Sequence, residues 1–176
     1  MLPISVLVPT RNSMPLLPKH VESMRAWLDV VEEVIAVDSD STDGTREFLQ
    51  KNISHPHGRF LTHPPGLYQS WNFGIAQCRA KYVYISTIGD SITRAGLEHL
   101  VSVAEGLRCD VVVSPPQMMK RGKPITRRWP VHQFIADRKL RVPVALSPFD
   151  GFAFALVNLR KAILGSSASN LYRREL

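Results

Sequence analysis

The amino-acid sequence predicts an α/β fold, in which helices flank a mostly parallel sheet. Short apolar runs of strand length alternate with helical segments over the first 115 residues. The runs are almost continuously apolar, as is typical of parallel strands that are covered on both faces. With 176 residues, of which 44% are hydrophobic and 21% charged, the chain fits one globular domain.

Five apolar runs are predicted to be β-strands. Each is rich in β-branched, aliphatic or aromatic residues and is bounded by polar or turn residues. In chain order, the runs are residues 4–9, 33–38, 59–62, 82–87 and 109–114.

Helices are predicted between these strands. Two sets of apolar residues recur at helical spacing, which places each set on one helical face. The first set is Leu17, Val21, Met24 and Leu28, and the second is Leu97, Leu100, Val101 and Ala104. A further helix over residues 43–51 follows a run of Asp, Ser and Thr, the residues preferred as N-caps. After the segment "SPPQMMKRGKP", which ends at residue 124, we expect helices and loops without clear strands.

Basic residues dominate one segment of the chain. The net charge is +7, and residues 120–141 hold eight cations but one acid, Asp137. Such an excess of positive charge suits the binding of nucleic acids, anionic lipids or phosphorylated small molecules. A solvated basic loop without a ligand is an equally good interpretation. We expect a mobile arm that closes over a diphosphate or approaches an anionic acceptor. The cations are Lys120, Arg121, Lys123, Arg127, Arg128, Arg138, Lys139 and Arg141.

Several other classes of protein are not expected. No segment approaches the ~20 consecutive apolar residues that span a bilayer. The N-terminal "MLPISVLVPT" has no basic leader, so we interpret it as a strand and not as a signal peptide. Cys78 and Cys109 lack the spacing of a zinc site and are predicted to be buried free thiols.

Polar residues follow three of the predicted strands. In open α/β sheets, ligands bind beyond the carboxyl ends of the strands. The segment "PTRN" ends the first strand, "DSDSTDGT" ends the second and "GDS" follows the fourth. A helix cap at Thr42 or Asp43 accounts for only one of the three acids in the second segment. We therefore expect Asp38 to face a ligand cleft.

Three sequence blocks together resemble family 2 glycosyltransferases, which have the GT-A, Rossmann-like fold. The blocks are "ISVLVPTRN", "VIAVDSDSTDGT" and "GLYQSWNFGIAQCRAKYVYISTIGDSITRAGLEHLV". They are similar, in order and spacing, to the family patterns "VxxPTxN", "VDSGSTDGT" and "GIYDAMNKGI…ATGDYIxFLNSGDxL". The resemblance covers residues 4 to about 105, and the tail "GSSASNLYRREL" is more loosely similar to an acceptor-side segment.

The resemblance implies a nucleotide-sugar-binding α/β part over residues 1–115. Residues 116–176 would then be a basic loop and a partial acceptor-side region of the same domain. Asp38 is similar to the acid that hydrogen-bonds a uracil-like edge, whereas Trp71 is expected only to pack. The implied nucleotide-binding residues are Pro9, Thr10, Arg11, Asn12, Asp38, Asp40, Gly66, Tyr68, Asn72, Gly74 and Gly89.

The resemblance also implies a manganese or magnesium ion at Asp90, the acid that follows the fourth strand. Hard divalent cations prefer carboxylate oxygen, and one carboxylate suffices where substrate phosphates supply further ligands. This chain has Thr87 and Gly89 where the family motif commonly has Asp or Asn and a second acid. We therefore expect weak metal affinity, or a diphosphate that the basic segment neutralises instead.

The implied activity is transfer of a sugar, with inversion, from a nucleotide-diphosphate sugar to a hydroxyl of a saccharide or lipid-linked acceptor. Such an enzyme would serve polysaccharide or glycoconjugate biosynthesis in the cytoplasm or, through peripheral association, at the cytoplasmic face of the membrane. An inverting transferase needs a general base. No acid after Asp90 has the surroundings of the family's base, so the catalytic residues are unknown. We expect a fragment of a longer transferase or a truncated binding form.

Other functions stay open at this point. The main alternative is a sugar-nucleotide-binding or assembly module without activity. A nucleotidyltransferase fits less well, because no Gly-rich loop bearing Lys or Arg follows the first strand. No pattern of a known nucleic-acid-binding module is present, so a nucleic-acid partner is not expected. His132, a lone histidine, is interpreted as structural.

Overall fold

The fold is built on a six-stranded sheet. The computed structural model describes residues 1–120, 122–126, 129–159, 161 and 165–175. The strands are β1 (Leu2–Thr10), β2 (Val31–Asp38), β3 (Gly58–Thr62), β4 (Tyr82–Ile85), β5 (Val111–Val113), β6 (Met119–Lys120), β7 (Lys123–Pro124) and β8 (Asn170–Arg173). The helices are α1 (Leu17–Met24), α2 (Thr45–Asn52), α3 (Leu67–Gln77), α4 (Arg94–Leu107), α5 (Pro130–Asp137) and α6 (Pro148–Val157), and a 3-10 turn spans Ser167–Ser169.

The strand order reverses at the centre of the sheet. The order is β3-β2-β1-β4-β8-β5, while β6 and β7 form a separate hairpin. β1 pairs in parallel with β2 and with β4, so that Thr10 lies beside Asp38 and Leu7 beside Ile85. The carboxyl ends of three strands therefore meet at the reversal point, which is where open α/β sheets bind ligands.

The two faces of the sheet bury alternate residues of each strand. Because successive side chains point to opposite faces, β1 places Ile4, Val6 and Val8 in one core cluster and Leu7 in the other. The first cluster packs against α1 and α4 and contains both apolar sets that predicted these helices. The second cluster packs against α3. Burial on both faces explains why the strands are continuously apolar in sequence.

The five predicted strands and the predicted helices are confirmed. α1 ends at Met24, so Leu28 packs against the core from the segment that follows the helix. Both cysteines are free thiols, as predicted: Cys78 is buried and Cys109 is half-buried. Burial raises the pKa of the Cys78 thiol to about 11. Within the described ranges, no helix has the length and apolarity needed to cross a bilayer.

The prediction that the chain after residue 124 contains no clear strand is wrong. β8 fills the position between β4 and β5 and runs antiparallel to both, with Val83 beside Tyr172 and Val112 beside Leu171. Leu171 is buried in the core. A four-residue strand carries little local signal, and its partners lie far earlier in the chain. Only tertiary pairing therefore specifies this strand.

A buried carboxylate in β2 links three parallel strands. Glu33 accepts Ser5 Oγ at 2.6 Å, Arg59 Nη2 at 2.9 Å and the backbone N–H of Arg79 at 2.6 Å. Burial alone would raise the pKa of Glu33, but these donors outweigh burial and hold the pKa below its usual value. The ionised carboxylate thus ties β1, β2 and β3 to the segment after α3.

We expect Glu33→Gln to lower the free energy of unfolding by about 1–3 kcal/mol, because a buried charged hydrogen-bond acceptor is lost. Since the native pKa is lowered, the contribution of Glu33 is complete above the unfolded pKa of about 4.3 and declines as the pH falls through the native value. The difference between wild type and variant should therefore shrink in acid. Urea unfolding measures it, with the exposed neighbour Glu32→Gln as the control. Equal losses in the two variants would contradict a special role for Glu33.

Candidate functional site

The loops after β1, β2 and β4 converge at one edge of the sheet. The backbone N–H of Ser39 donates to the Thr10 carbonyl at 2.9 Å, and that of Ser86 donates to the Leu7 carbonyl at 2.8 Å. These bonds extend the strand pairing beyond the ends of β2 and β4. The polar segments that follow the three strands are thus held side by side on a rigid frame.

Asn12 ties the loop after β1 to the loop after β2. Its backbone N–H donates to Ser41 Oγ at 2.8 Å, and its Oδ1 accepts the backbone N–H of Thr42 at 2.9 Å. Asn12 has a φ of 45°, a left-handed conformation that Asn adopts more readily than most residues. In the same loop, Pro9 is half-buried and Arg11 is exposed. Arg11 therefore carries the charge that this loop presents to solvent.

Asp38 is buried, and its carboxylate organises the loop after β2. It accepts Thr10 Oγ1 at 3.0 Å, Ser41 Oγ at 2.6 Å and the backbone N–H of Ser41 at 2.9 Å. An ionised carboxylate has about four acceptor positions, so three donors leave little capacity for a ligand. Asp40, by contrast, is exposed and has a φ of 53°. The structure therefore brings both acids to the edge, but Asp38 is largely committed to its own loop.

The predicted cap of the helix after β2 is wrong in its position. Gly44, with a φ of 86°, is the N-cap residue of α2. Asp43 instead accepts the backbone N–H of Met14 at 3.0 Å, that of Thr45 at 3.1 Å and Thr45 Oγ1 at 2.6 Å. The Thr45 hydroxyl, assisted by these N–H groups, lowers the pKa of Asp43. Asp43 therefore fastens the start of α2 to the loop before α1.

The inner side of α3 packs closely on the sheet. Gly74 is buried, and a Cβ at this position would collide with Leu7 and Val37. The close approach of helix and strand accounts for this glycine without a nucleotide. Trp71 joins the core cluster on the same face of the sheet, as predicted. The inner side of α3 thus supports the site from beneath.

The first turn of α3 is fastened to the loop after β2. Ser70 Oγ lies 2.7 Å from Ser39 Oγ, and both residues are buried. Gly66 is the N-cap residue of α3, and Tyr68 and Asn72 are exposed. The start of α3 is therefore fixed at the edge of the sheet, with side chains that a ligand can reach. Nucleotide contacts by Gly66, Tyr68 and Asn72 stay predictions.

A glycine turn presents Asp90 beyond the end of β4. The backbone N–H of Asp90 donates to the Thr87 carbonyl at 3.0 Å, which closes a four-residue turn. Gly89, the third residue of this turn, has a φ of 94°, which strongly favours glycine there. Asp90 is exposed. The "GD" pair thus reverses the chain at the strand end and leaves the carboxylate at the surface.

The end of the chain reaches this turn, which the sequence did not predict. Ser166 Oγ donates to Asp90 Oδ2 at 2.8 Å, and Ser167 Oγ lies 2.9 Å from Thr87 Oγ1. The Tyr84 hydroxyl donates to the carbonyl of Ala168 at 2.9 Å. The serine-rich stretch before "NLYR" is the sequence feature that could have indicated this contact. Its position beside the turn, however, depends on the pairing of β8 with β4. Ser166 and Ser167 therefore belong to the candidate site.

His20 is a second site residue that the sequence did not indicate. It is buried on α1, where Nδ1 lies 3.0 Å from the Asp90 carbonyl and Nε2 lies 3.1 Å from Ser86 Oγ. Burial lowers the pKa of His20, against the opposing influence of Asp90. In the neutral ring, Nδ1–H donates to the carbonyl, so Nε2 accepts the Ser86 hydroxyl. The imidazole thus holds Ser86 and Asp90, the two ends of the segment that forms the turn after β4.

The metal site predicted at Asp90 stays a prediction. Its carboxylate is exposed, and Ser166 is its hydrogen-bond partner. In the part of the chain that the structure describes, no three His, Cys, Asp or Glu residues are grouped to hold a metal. A cation at Asp90 would therefore take most of its oxygen ligands from elsewhere. This situation suits Mg²⁺ or Mn²⁺ bound together with substrate phosphates.

Part of the predicted basic arm forms regular structure. Lys120 and Lys123 pair across the β6–β7 hairpin. α5 buries Val131 and places His132 Nε2 3.1 Å from the Pro116 carbonyl. The β6–β7 hairpin was not predicted, whereas α5 agrees with the helices and loops expected in this region. Closure of the rest of the basic arm over a ligand stays a prediction. Arg121, Arg127 and Arg128 of this arm lie outside the residues that the structure describes.

Comparison with known proteins gives a family and a set of similar folds. The family described as Glycosyl transferase family 2 matches residues 5–176. A search of curated proteins found no match. The structure of S. aureus TarS 1-349 is similar with a TM-score of 0.66 and 20% identity, over 97% of this chain and 47% of that one. The structure of TarS 1-349 in complex with UDP-GlcNAc has a TM-score of 0.56 and 22% identity. The similarity covers 70% of this chain and 37% of that one.

A second protein has the same fold. Glucosyl-3-phosphoglycerate synthase from Mycobacterium tuberculosis, in complex with Mn²⁺, UDP and glucosyl-3-phosphoglycerate, has a TM-score of 0.61 and 19% identity. The similarity covers 98% of this chain and 57% of the synthase. The present chain thus spans about half the length of the TarS 1-349 chain and of the synthase.

The chain belongs to glycosyl transferase family 2, because the family match covers nearly all of its length. The solved structures, at identities near 20%, establish the fold of GT-A glycosyltransferases. The predicted family and the mostly parallel α/β fold are thereby confirmed.

We expect His20→Gln to lower the free energy of unfolding by about 1 kcal/mol at neutral pH, since two buried hydrogen bonds change. Because the native pKa is lowered, the unfolded chain binds the proton more readily, and the wild type loses stability as the pH falls below the unfolded value of about 6.5. The variant should lose less over the same range. Urea unfolding at neutral and mildly acidic pH measures both slopes, with the exposed His99→Gln as control. If the stability of His20→Gln fell as steeply with pH as that of the wild type, the pH dependence could not be assigned to His20.

Proposed function

We propose that this chain binds a nucleotide-diphosphate sugar at the edge formed by the loops after β1, β2 and β4, and that it serves transfer of the sugar to an acceptor hydroxyl. The observation that carries the proposal is the exposed carboxylate of Asp90, held by Ser166 where the strand order reverses. Membership of glycosyl transferase family 2 supports the reaction class.

The base and the ribose are assigned to the loops after β1 and β2. Asp38 shapes this part of the site through Thr10 and Ser41, and its remaining acceptor capacity suits one N–H of a base. Support comes from structures of the same fold that contain UDP or UDP-GlcNAc. The proposed contacts are Pro9, Thr10, Arg11, Asn12, Asp38 and Asp40 from the loops and Gly66, Tyr68 and Asn72 from α3, with Gly74 contributing through packing alone.

The diphosphate is assigned to the turn after β4. Asp90 would hold a Mn²⁺ or Mg²⁺ ion, which when bound supplies positive charge to the departing diphosphate. Support comes from the glucosyl-3-phosphoglycerate synthase structure, which contains Mn²⁺ and UDP. Gly89 lets the backbone turn tightly, and Ser166 orients one oxygen of Asp90. Arg11 and the cations of residues 120–141 would add positive charge near the leaving group.

The finer features of the reaction belong to the proposal as well. We propose transfer with inversion to a saccharide or lipid-linked acceptor, in the cytoplasm or at the cytoplasmic face of a membrane. Residues 1–115 would hold the nucleotide sugar, and residues 116–176 would form the basic, acceptor-side region of the same domain. No residue is assigned as the general base. A binding module without activity is therefore the second candidate, and turnover separates the two.

Calorimetry with UDP and with GDP, each with and without Mn²⁺, tests the proposed site. We expect heat of binding with at least one nucleotide, and an affinity that Asp90→Asn lowers about tenfold or more in the presence of Mn²⁺, as disruption of a metal site typically does. Asp43→Ala is the matched control. It should lower the melting temperature by about 2–4 °C through loss of its bonds to Met14 and Thr45, with little change in affinity.

Two results would count against the proposed site. Absence of binding heat with both nucleotides would remove the nucleotide function. Equal losses of affinity in Asp90→Asn and Asp43→Ala would show that the acids are divided wrongly between binding and folding. Release of nucleoside diphosphate from a panel of nucleotide sugars then distinguishes a transferase from a binding module.

A further inference from the structure

An apolar cavity of about 630 Å³ is enclosed by elements from the later part of the chain. Its lining comes from α4, β5, α5, α6 and residues 140–146. Leu100 of α4, Val112 of β5 and Val131 of α5 are the buried members of this lining. Protein interiors hold few voids larger than a water molecule, whereas ligand sites are cavities of about 300–1,000 Å³ with mostly apolar walls. The cavity therefore has the size and the lining of a ligand site.

The lining stays apolar where the cavity reaches the surface. Leu107, Val142, Val144 and Leu146 all belong to the lining, and they are exposed by 39%, 70%, 44% and 45%. Apolar side chains thus continue from the buried residues of the lining to its exposed ones. A chain of methylene groups that enters from the surface would be removed from water along this path, which is favourable for each group buried.

Arg141 brings a positive charge to the lining of the cavity. It is exposed, and it makes no hydrogen bond or ion pair with the residues that the structure describes. Among the described residues of the lining there is no Asp or Glu. Asp137 and Asp150 belong instead to a neighbouring cleft, where they accept hydrogen bonds from Gln133 and Ser147. The cavity thus combines apolar walls with an unpaired guanidinium, a group that matches the oxygens of phosphates and carboxylates.

We propose that this cavity binds a single-chain amphiphile with an anionic head group, either a phosphate or a carboxylate. The apolar chain lies among α4, β5 and α5, and the head group pairs with Arg141. The apolar lining selects the chain, and the unpaired cation in a lining without acids selects the charge of the head group. The residues assigned to the nucleotide sugar, including Asp38 and Asp90, are not part of the lining. The inference therefore does not depend on the proposed function, and its test uses neither nucleotide nor sugar transfer.

Calorimetry with decyl phosphate, below its micelle concentration, tests the proposal. We expect heat of binding and a higher melting temperature, because a ligand that binds only the folded chain stabilises it. Decanol, which has the chain without the charge, should bind about tenfold more weakly. Inorganic phosphate, which has the charge without the chain, should give no detectable heat. Decanoate carries the alternative head group, and the tighter binder of decanoate and decyl phosphate identifies the natural one.

Gly151 of α6 offers a way to fill the cavity. It belongs to the lining, and a Cβ built there would meet no atom within 4 Å. Gly151→Leu should therefore place a side chain in the cavity without a collision and raise the melting temperature, since Leu is a better helix former. The affinity for decyl phosphate should fall about tenfold or more, because exclusion of two methylene groups already accounts for that factor. Gly106→Leu on α4 is the matched control: a Cβ there also meets no atom within 4 Å, but Gly106 is outside the lining.

A second pair of variants tests the head group. Arg141→Gln should lower the affinity for decyl phosphate about tenfold and reduce its salt dependence, while the affinity for decanol stays the same. Lys139→Gln removes an exposed cation that is outside the lining, and it should bind decyl phosphate like the wild type.

Three results would overturn the proposal. The first is absence of binding heat with both decyl phosphate and decanoate. The second is equal affinity of the wild type and Gly151→Leu for decyl phosphate, since the ligand would then lie outside the cavity. The third is a dimer, seen by light scattering, that Gly151→Leu alone dissociates, because a second copy of the chain would then occupy the cavity.

Discussion

The parallel pairing of β1 with β2 on one side and β4 on the other is the constraint on which the rest of the structure depends. It places Thr10 beside Asp38 and Leu7 beside Ile85, so that three loops begin at one edge of the sheet. A shift of one residue in either pairing would turn the core side chains of β1 to the wrong face. The burial that fixes the core therefore also fixes the spacing of the polar edge, which is why fold and site are specified together.

Side chains from distant parts of the chain complete that edge. His20 connects α1 to Ser86 and to the Asp90 carbonyl, while Ser166 reaches the Asp90 carboxylate from the segment before β8. Because β8 is part of the central sheet, strand pairing with β4 joins the segment that carries Ser166 to the earlier part of the chain.

The sequence predicts what depends on local pattern and leaves out what depends on distant contacts. The first five strands, α1 and α4 follow from apolar spacing, and the segments at the strand ends follow from their position in an open sheet. By contrast, β8 is short, and its burial depends on partners far away in the chain. The roles of His20 and Ser166 have the same origin. Gly74 shows a different limit: the motif marks this glycine, and only the structure shows that Leu7 leaves no room for a Cβ there.

The central claim is that a nucleoside diphosphate binds where the strand order reverses, with its phosphates toward Asp90. A crystal structure of this chain with UDP and Mn²⁺ tests it most directly. The account predicts the uracil and ribose between the loops after β1 and β2, and the diphosphate beside the turn formed by Thr87 to Asp90. A nucleotide found instead in the apolar cavity of about 630 Å³ between α4 and α5, or bound with Asp90 turned away from its phosphates, would contradict it.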